Sequence, residues 1–386
     1  MVLVACGNSS SSDDSSVAGT SSGGGDAAAG SSGSTGSSGS TGSSGSAGSS
    51  SSSACSSEAT QQARVACAAN AFLGTLSSTQ RAQVNLDLSD YTSRTLWSNL
   101  PVMLKPRGGL QYGSLSTESQ TALLALLNIA LNDAGQATMT GILRGDDYLA
   151  TMASGYGSDL YSIAIFGTPD ATGDFEVMFG AHHMAYNLNF VGGNFYPIPH
   201  HLGCEPKASF TYNGASYAPL QPMGDAMFAV YAALGTSEQT SAYLSGQTFG
   251  DVVVSPDLDY GKGANRTSKS AYPTGSNRTG VLVSSLDAAK QALVTAAIER
   301  WVRQYPSEVT DGLMTDYTSA TAYADTYFAW GGSSSGPDKD VSGSYLRIDG
   351  PRVWIELAVQ GGIVIRDATH YHSIYRDKTL DYGGQF

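Results

Sequence analysis

Basic residues are scarce in this sequence of 386 residues, which has 20 lysines and arginines against 33 aspartates and glutamates. The resulting net charge of -13 repels phosphate backbones and anionic lipids, so nucleic acid is excluded as a partner. The sequence also lacks any apolar run near the roughly 20 residues that a membrane-spanning helix needs. We therefore expect contact with a membrane only through a lipid anchor.

Cysteines are few as well, and apart from Cys6 only Cys55, Cys67 and Cys204 remain. None of them has the CxxC spacing of a cysteine zinc site, so such a site is not expected. The simplest disulfide is Cys55–Cys67, which would join the start of the folded region to its first helix. Pairing of Cys204 with either of the other two is equally allowed by the sequence.

The N-terminus carries the features of a bacterial lipoprotein. Leu3-Val-Ala-Cys6 resembles the lipobox, in which the cysteine is acylated. The charged and apolar regions of such a signal do not precede it, and we expect them upstream of this start. Gly7 stands where aspartate is associated with inner-membrane retention. We therefore predict a place in the bacterial cell envelope, anchored to the outer membrane or exposed at the cell surface or outside the cell.

This anchor can be tested by fractionation. We expect the full-length protein to sediment with membranes, because an acyl chain on Cys6 would hold it there. The substitution Cys6→Ser removes the acylation site and should move the protein to the soluble fraction, as measured by immunoblotting of both fractions. Recovery of the unsubstituted protein as a soluble, unlipidated chain would contradict the prediction.

The sequence divides into two regions of different composition. Residues 1–57 comprise the lipoprotein-like start and a segment made almost wholly of serine, glycine, alanine and threonine, which cannot bury a core and predicts a disordered tether. Residues 58–386 predict a single large domain in which helical and strand patterns come in blocks. This order indicates an α+β fold, with helical N-terminal and middle blocks packed on a largely antiparallel sheet.

The six histidines fall into three pairs, His182-His183, His200-His201 and His370-x-His372. The residues from 369 to 375 are β-branched and aromatic, as in a strand, where alternate side chains share one face. His370 and His372 therefore point the same way, and two imidazoles on one face can bind the same metal ion. The grouping predicts a metal site.

Other candidate ligands lie on the neighbouring predicted strands. If His182 and His183 both lie in a strand, they point to opposite faces, and we favour His183 as the ligand and His182 as a supporting or solvent-facing residue. Glu356 is an acid within an apolar strand and requires a partner, which a metal or a ligating histidine would supply. The alternative is an ion pair of Glu356 with Arg347 or Arg376. The residues expected around the ligands are Arg376 and Asp377.

The remaining pair, His200-His201, follows two prolines and is predicted to lie in an exposed loop. A set of two or three histidines with one carboxylate suits a divalent ion of zinc, iron, manganese or copper, and no organic cofactor is indicated. The leading hypothesis is a metalloprotein with hydrolytic or other metal-assisted chemistry on an unidentified small molecule or polymer. The alternatives are a non-catalytic metal-binding or surface-binding lipoprotein, and a buried polar network without metal.

Several ordered motifs resemble the bacterial secreted proteins grouped as the "domain of unknown function 3500" family. The resemblance runs from about residue 80 to the C-terminus and implies a shared fold and site but no reaction. In one place the chain departs from the family, which usually has Glu-Gly-His-His where this chain has Gly180-Ala-His-His183, so a carboxylate before the pair is missing. The motifs are Trp97-Ser-Asn-Leu-Pro101, Arg107-Gly-Gly-Leu110, Leu115-Ser-Thr-Glu-Ser-Gln120, Ile165-Phe-Gly-Thr-Pro169, Gly180-Ala-His-His-Met-Ala-Tyr-Asn-Leu-Asn189, Tyr327-Phe-Ala-Trp-Gly-Gly332, Tyr345-Leu-Arg-Ile-Asp-Gly-Pro351, Ile355-Glu356 and His370-Tyr-His-Ser-Ile-Tyr-Arg-Asp377.

Overall fold

Helices and strands come in blocks along the chain, as the sequence predicted, and the fold is α+β. The computed structural model describes residues 55–247, 249–254 and 272–385, and all of these belong to one compact unit of residues 46–386. Cys6 and the tether as far as residue 54 lie outside the described residues. None of the helices in the described part is long and apolar enough to span a membrane.

Several helices begin at a residue whose side chain caps them. For example, the hydroxyl of Ser116 accepts a hydrogen bond from Ser119 N at the start of the leucine-rich helix. The α-helices are α1 (Gln61–Gly74), α2 (Ser78–Val84), α3 (Tyr91–Arg94), α4 (Thr117–Ala130), α5 (Asp133–Ala150), α6 (Gln221–Ala233), α7 (Thr236–Ala242), α8 (Ala288–Val302), α9 (Ser307–Thr318) and α10 (Ala320–Tyr323).

The strands form one large sheet and a short separate hairpin made by β8 and β9. The strands are β1 (Asn85–Leu86), β2 (Leu110–Gln111), β3 (Ser162–Gly167), β4 (Phe175–Ala181), β5 (Met184–Val191), β6 (Asn194–Tyr196), β7 (His200–Cys204), β8 (Phe210–Tyr212), β9 (Ala215–Tyr217), β10 (Val281–Leu282), β11 (Tyr327–Gly331), β12 (Tyr345–Asp349), β13 (Val353–Gly361) and β14 (Thr369–Asp377).

The order of the large sheet is β1-β3-β4-β5-β7-β14-β13-β12-β11-β10, with β2 beside β3 and β6 beside β5. All of these pairs are antiparallel except the β1–β3 pair. The β4–β5 hairpin, whose turn holds the first histidine pair, and β14, which carries the last pair, therefore belong to the same sheet. They are separated only by β7, which carries the middle pair.

Both faces of the sheet are covered. One face packs against the helices in the larger core, where Trp301 of α8 and Phe72 of α1 are fully buried. The other face carries a second core, in which Val252 and Val254 of the segment 249–254 pack with Trp354 and Ile374. Because residues two apart on a strand share a face, His370 and His372 lie on this second face with Ile374.

The disulfide Cys55–Cys67 is the simplest of the pairings that the sequence allowed, and its Cα atoms are 5.4 Å apart. It fastens the segment before α1 to the middle of that helix. Cys204 is a buried free cysteine at the end of β7. Burial raises the pKa of its thiol far above the ordinary value, so the thiol stays protonated at neutral pH.

Candidate metal centre

His182 and His183 form the turn that joins β4 to β5, so the prediction that they alternate within a strand was wrong. Ala181 and Met184 pair directly across the hairpin, which leaves only two residues to reverse the chain. Tight two-residue turns require a positive φ, and His183 has a φ of 64°. Both imidazoles project from this turn, and their rings stack with centroids 3.6 Å apart.

Hydrogen bonds from three directions fix the turn. His183 N donates to the carbonyl oxygen of Asn99 over 3.0 Å, Gly203 N donates to the carbonyl of His183 over 2.6 Å, and the Tyr161 hydroxyl donates to the carbonyl of His182. A positive φ is uncommon for a residue with a side chain, and glycine would adopt it without strain. The imidazole at position 183 therefore sits on a backbone conformation that glycine would adopt at lower cost.

Three imidazoles converge beside this turn and are called the histidine triad here: His183, His370 and His372. Their ring centroids are 5.2, 5.0 and 4.9 Å apart, and one ligand atom from each lies within 4.8 Å of the others. They are at most 5% exposed. The structure thus brings together the strand pair and the favoured third histidine, an arrangement that could hold a metal ion.

Gly203 of β7 makes room for the triad. A Cβ atom at this position would lie 3.0 Å from Cδ2 of His183 and 3.0 Å from Cδ2 of His372. β7 lies between the β4–β5 hairpin and β14, so any side chain here would stand between the two rings. The absence of a side chain at position 203 allows the imidazoles from opposite sides of β7 to approach each other.

A carboxylate and an amide hold His372 from the side. Its Nδ1 lies 2.9 Å from Oδ1 of Asp251 and 2.9 Å from Nδ2 of Asn99. Its Nε2 is buried and has no hydrogen-bond partner. A carboxylate on one nitrogen of an imidazole commonly orients the other nitrogen towards a metal. Nε2 is therefore the nitrogen of His372 that could bind a metal ion together with His183 and His370.

The middle histidine pair lies in β7 and is fully buried, so the prediction of an exposed loop was wrong. His201 pairs with Ile374, which places it on the same sheet face as His372, at a ring distance of 5.2 Å. His201, Asp251 and His372 form a second group whose ligand atoms lie within 4.8 Å of one another. His200 faces the helical side, where its Nδ1 lies 2.7 Å from the Tyr305 hydroxyl.

His182 lies beside the triad and contacts a carboxylate of its own. Its Nδ1 is 2.6 Å from Oδ1 of Asp146, and Oδ2 of the same residue accepts a hydrogen bond from Gly157 N. The Tyr156 ring packs edge-on against the imidazole at 4.9 Å. Asp146 therefore fixes the orientation of His182, whose ring stacks on that of His183. His182 belongs to neither of the two groups that could bind a metal ion.

Glu356 belongs to neither group, contrary to the prediction that it joins the metal site. It lies on the second sheet face at 0% exposure, but its two oxygens accept hydrogen bonds from Trp354 Nε1, the Tyr345 hydroxyl and the backbone of the segment 249–254. The backbone donors are Val253 N and Val254 N. Glu356 thus anchors the segment that carries Asp251, and Asp251 is the carboxylate that contacts a triad histidine.

Arg376 and Asp377, expected around the ligands, have their described contacts further along β14. Arg376 Nε lies 2.6 Å from Oδ2 of Asp381, and its guanidinium also donates to the carbonyl of Val254 over 3.3 Å. Asp377 faces the opposite side of the sheet and accepts hydrogen bonds from Arg352 and the Tyr317 hydroxyl. Arg376 therefore helps to hold the segment 249–254, whereas Asp377 stabilises the helical side.

The electrostatic environment favours the neutral forms of His183, His201 and His370. Burial lowers the pKa of His183 and His201 well below the usual value, and the neighbouring histidines lower it further. For the same reasons the pKa of His370 is lowered to about 2. Burial alone would raise the pKa of Asp251, but its attraction to His372 and their hydrogen bond outweigh burial and lower it. Neutral imidazoles next to an ionised carboxylate are the protonation states that metal binding requires.

Sequence reasoning missed four residues of this site, namely Asn99, Asp146, His201 and Asp251. The signal for Asn99 was present, because it lies within the Trp97–Pro101 motif. The aspartates carry no motif and reach their histidines from 36 and 121 positions away in the chain. A cavity of about 1040 Å³, lined by residues of α5, α6 and α8, lies elsewhere, and no histidine lines it.

The missing carboxylate before His182 also has a structural counterpart. A Cβ atom at Gly180 would lie 2.2 Å from the carbonyl oxygen of Met184, so a glutamate does not fit this hairpin as it stands. Asp146 supplies a carboxylate to the pair from α5 instead.

Searches of curated proteins and of solved structures found no match to this chain. A family model described as "Protein of unknown function (DUF3500)" matches residues 58–384, and the chain therefore belongs to this family.

Proposed function

We propose that this protein is an envelope-anchored metalloprotein that binds a divalent metal ion at the histidine triad, with zinc as the leading candidate. The bound ion would serve to hydrolyse a small molecule or polymer. The observation that carries the proposal is the convergence of three buried imidazoles from two hairpins, with ligand atoms within 4.8 Å of one another. Burying polar atoms without partners costs free energy, and a shared ion would compensate the unpartnered Nδ1 of His370 and Nε2 of His372.

The ligand count favours catalysis. Zinc sites with a structural role usually have four protein ligands, whereas catalytic sites have three and leave a position for water or substrate. Zinc bound in this way supplies a Lewis acid and lowers the pKa of its water into the neutral range. The triad provides three imidazoles, and the nearest carboxylate, Asp251, contacts the outer nitrogen of His372. A zinc ion held by these three imidazoles would leave one coordination position for a reactant.

His182 is suited to proton transfer at this position. Asp146 holds its Nδ1 at 2.6 Å, and its ring stacks on His183 of the triad. A histidine whose far nitrogen is oriented by a carboxylate is the usual arrangement of a general base. We propose that His182 accepts a proton from the attacking water and that Asp146 stabilises the imidazolium that results.

A second candidate function is metal binding without catalysis. The observation in its favour is the burial of the triad, since His370 is only 1% exposed. Such an enclosed set would retain an ion well but would admit a substrate less readily. Hydrolysis that depends on both the metal and His182 distinguishes the two functions.

The first experiment measures zinc in purified, untagged protein. After loading with Zn²⁺ and gel filtration, His370→Ala should bind one zinc ion fewer per chain than the unsubstituted protein, because it removes a ligand that only the triad uses. His200→Gln is the matched control, since His200 lies on the opposite face of the sheet and glutamine can still bond to Tyr305. Equal zinc in His370→Ala and in the unsubstituted protein would overturn the proposed site.

The catalytic part is tested on a panel of chromogenic carboxylic and phosphoric esters. We expect hydrolysis that is lost on chelation, is restored by Zn²⁺ and falls about 100-fold in His182→Gln, the size typical of losing a general base. Zinc content should remain unchanged in that variant. Full zinc binding without any metal-dependent hydrolysis across the panel would favour the non-catalytic candidate.

A further inference from the structure

We infer that the site holds a second metal ion, bound by His201, Asp251 and His372, and that His372 bridges the two ions through its two ring nitrogens. The inference rests on the proposed function for the first ion and adds a second position next to it. Histidine and carboxylate ligands together suit zinc, manganese, iron or copper. The proposed centre is thus dinuclear, with the histidine triad on one side of the His372 ring and the second group on the other.

The first observation is the condition of His201. It is fully buried, and neither of its ring nitrogens has a hydrogen-bond partner. A neutral imidazole has one donor and one acceptor, and leaving either unsatisfied in the interior costs about 1–3 kcal/mol. His200 next to it leaves only its Nε2 without a partner, since its Nδ1 bonds to the Tyr305 hydroxyl. The histidine triad does not include His201, so the first ion cannot account for it.

The second observation is the position of Asp251. The segment 249–254 crosses the second sheet face, and Glu356 binds its backbone at Val253 and Val254. This places Oδ1 of Asp251 2.9 Å from Nδ1 of His372, and a carboxylate oxygen of Asp251 lies within 4.8 Å of a ring nitrogen of His201. A carboxylate, an unpartnered imidazole and a shared imidazole therefore surround one point.

The third observation is the arrangement around His372. Its Nδ1 contacts both Asp251 and the Asn99 amide, and its Nε2 is buried without a hydrogen-bond partner. The two nitrogens point away from each other across the ring, so each can serve one group. A neutral imidazole carries one ring proton, so coordination through both nitrogens would release that proton to solvent, and the Asn99 amide would have to leave Nδ1. The resulting imidazolate is a ligand to both ions.

Zinc stoichiometry of the full-length protein tests the inference. We expect two Zn²⁺ ions per chain after loading and gel filtration, one in His201→Leu, one in His370→Ala and none in His372→Ala. Leucine is chosen at position 201 because it removes the unpaired polar atoms and should leave the fold at least as stable. His200→Gln, on the same strand but the opposite face, should retain two ions.

Copper provides a readout that a merely structural role would not change. Two Cu²⁺ ions bridged by an imidazolate couple magnetically, so the loaded protein should show a much weaker electron paramagnetic resonance signal than its copper content predicts. His201→Leu should restore the full signal of one isolated ion.

The outcomes separate the two proposals. One zinc ion in both the unsubstituted protein and His201→Leu, with none in His370→Ala, would overturn the second position and keep the triad. Two ions in His370→Ala would overturn the triad instead. An uncoupled copper signal in a protein that binds two ions would overturn the bridge through His372.

Discussion

Replacing His183 by glycine is expected to weaken metal binding at the histidine triad strongly without weakening the fold. His183 has a φ of 64°, a conformation that glycine adopts freely and that costs other residues on the order of 1 kcal/mol or more. The backbone hydrogen bonds of His183 to Asn99 and Gly203 do not involve the side chain and should persist. Zinc titration by calorimetry and unfolding in urea measure the two effects separately.

The expected size of the effect follows from the ligand count. With two imidazoles left, we expect the zinc affinity of the triad to fall by at least about 100-fold, comparable to or larger than the loss caused by removing an outer partner of a ligand. His183→Asn is the matched control, because asparagine tolerates a positive φ but is too short to replace the imidazole. Zinc affinity in His183→Gly equal to that of the unsubstituted protein would show that the imidazole is not a ligand.

Replacing Glu356 by alanine is expected to produce a large loss of stability. The substitution removes the acceptor of four donors, namely the buried Val254 N, Trp354 Nε1 and Tyr345 hydroxyl and the partly buried Val253 N. Each unsatisfied buried donor costs about 1–3 kcal/mol, reduced where the segment can move to reach water. We therefore expect the free energy of unfolding to fall by about 3–5 kcal/mol, as measured in urea.

The substitution should also reach the metal centre, because Glu356 holds the segment that carries Asp251. The zinc affinity of Glu356→Ala should fall although Glu356 is not a ligand. Glu356→Gln is the matched control, since it keeps the volume and one acceptor oxygen and should lose clearly less stability. If the alanine variant lost less than about 1 kcal/mol, the anchoring role given to Glu356 would be incorrect.

Local periodicity predicted the part of the site that lies on a single strand. His370 and His372 share a face because side chains alternate along β14, and this holds for any strand regardless of its neighbours. The same local reasoning failed at His182 and His183. Apolar residues on both sides of the pair hid a two-residue turn, and glycine or asparagine, the usual signals of such a turn, is absent there.

Predicting burial from sequence failed at His200 and His201. The prolines before the pair indicated a loop, but the strand β7 that follows them lies between β5 and β14 and is covered on both faces. The environment of a strand in the centre of a sheet depends on strand order, which is set by packing across the whole domain. Glu356 illustrates the same limit, because its need for a partner was evident and the identity of the partner was not.

The sequence by itself determined the α+β class, the paired histidines and the strand face that holds two of them, since each depends on composition or on the period of a local element. Only the tertiary structure decided which histidines meet and which carboxylates serve them. His372 contacts Asp251, which lies 121 positions away in the chain. His183 can approach His372 because Gly203 of β7 has no side chain. Such contacts arise from the order of the strands and from close packing between residues far apart in the chain, which leave no local pattern in the sequence.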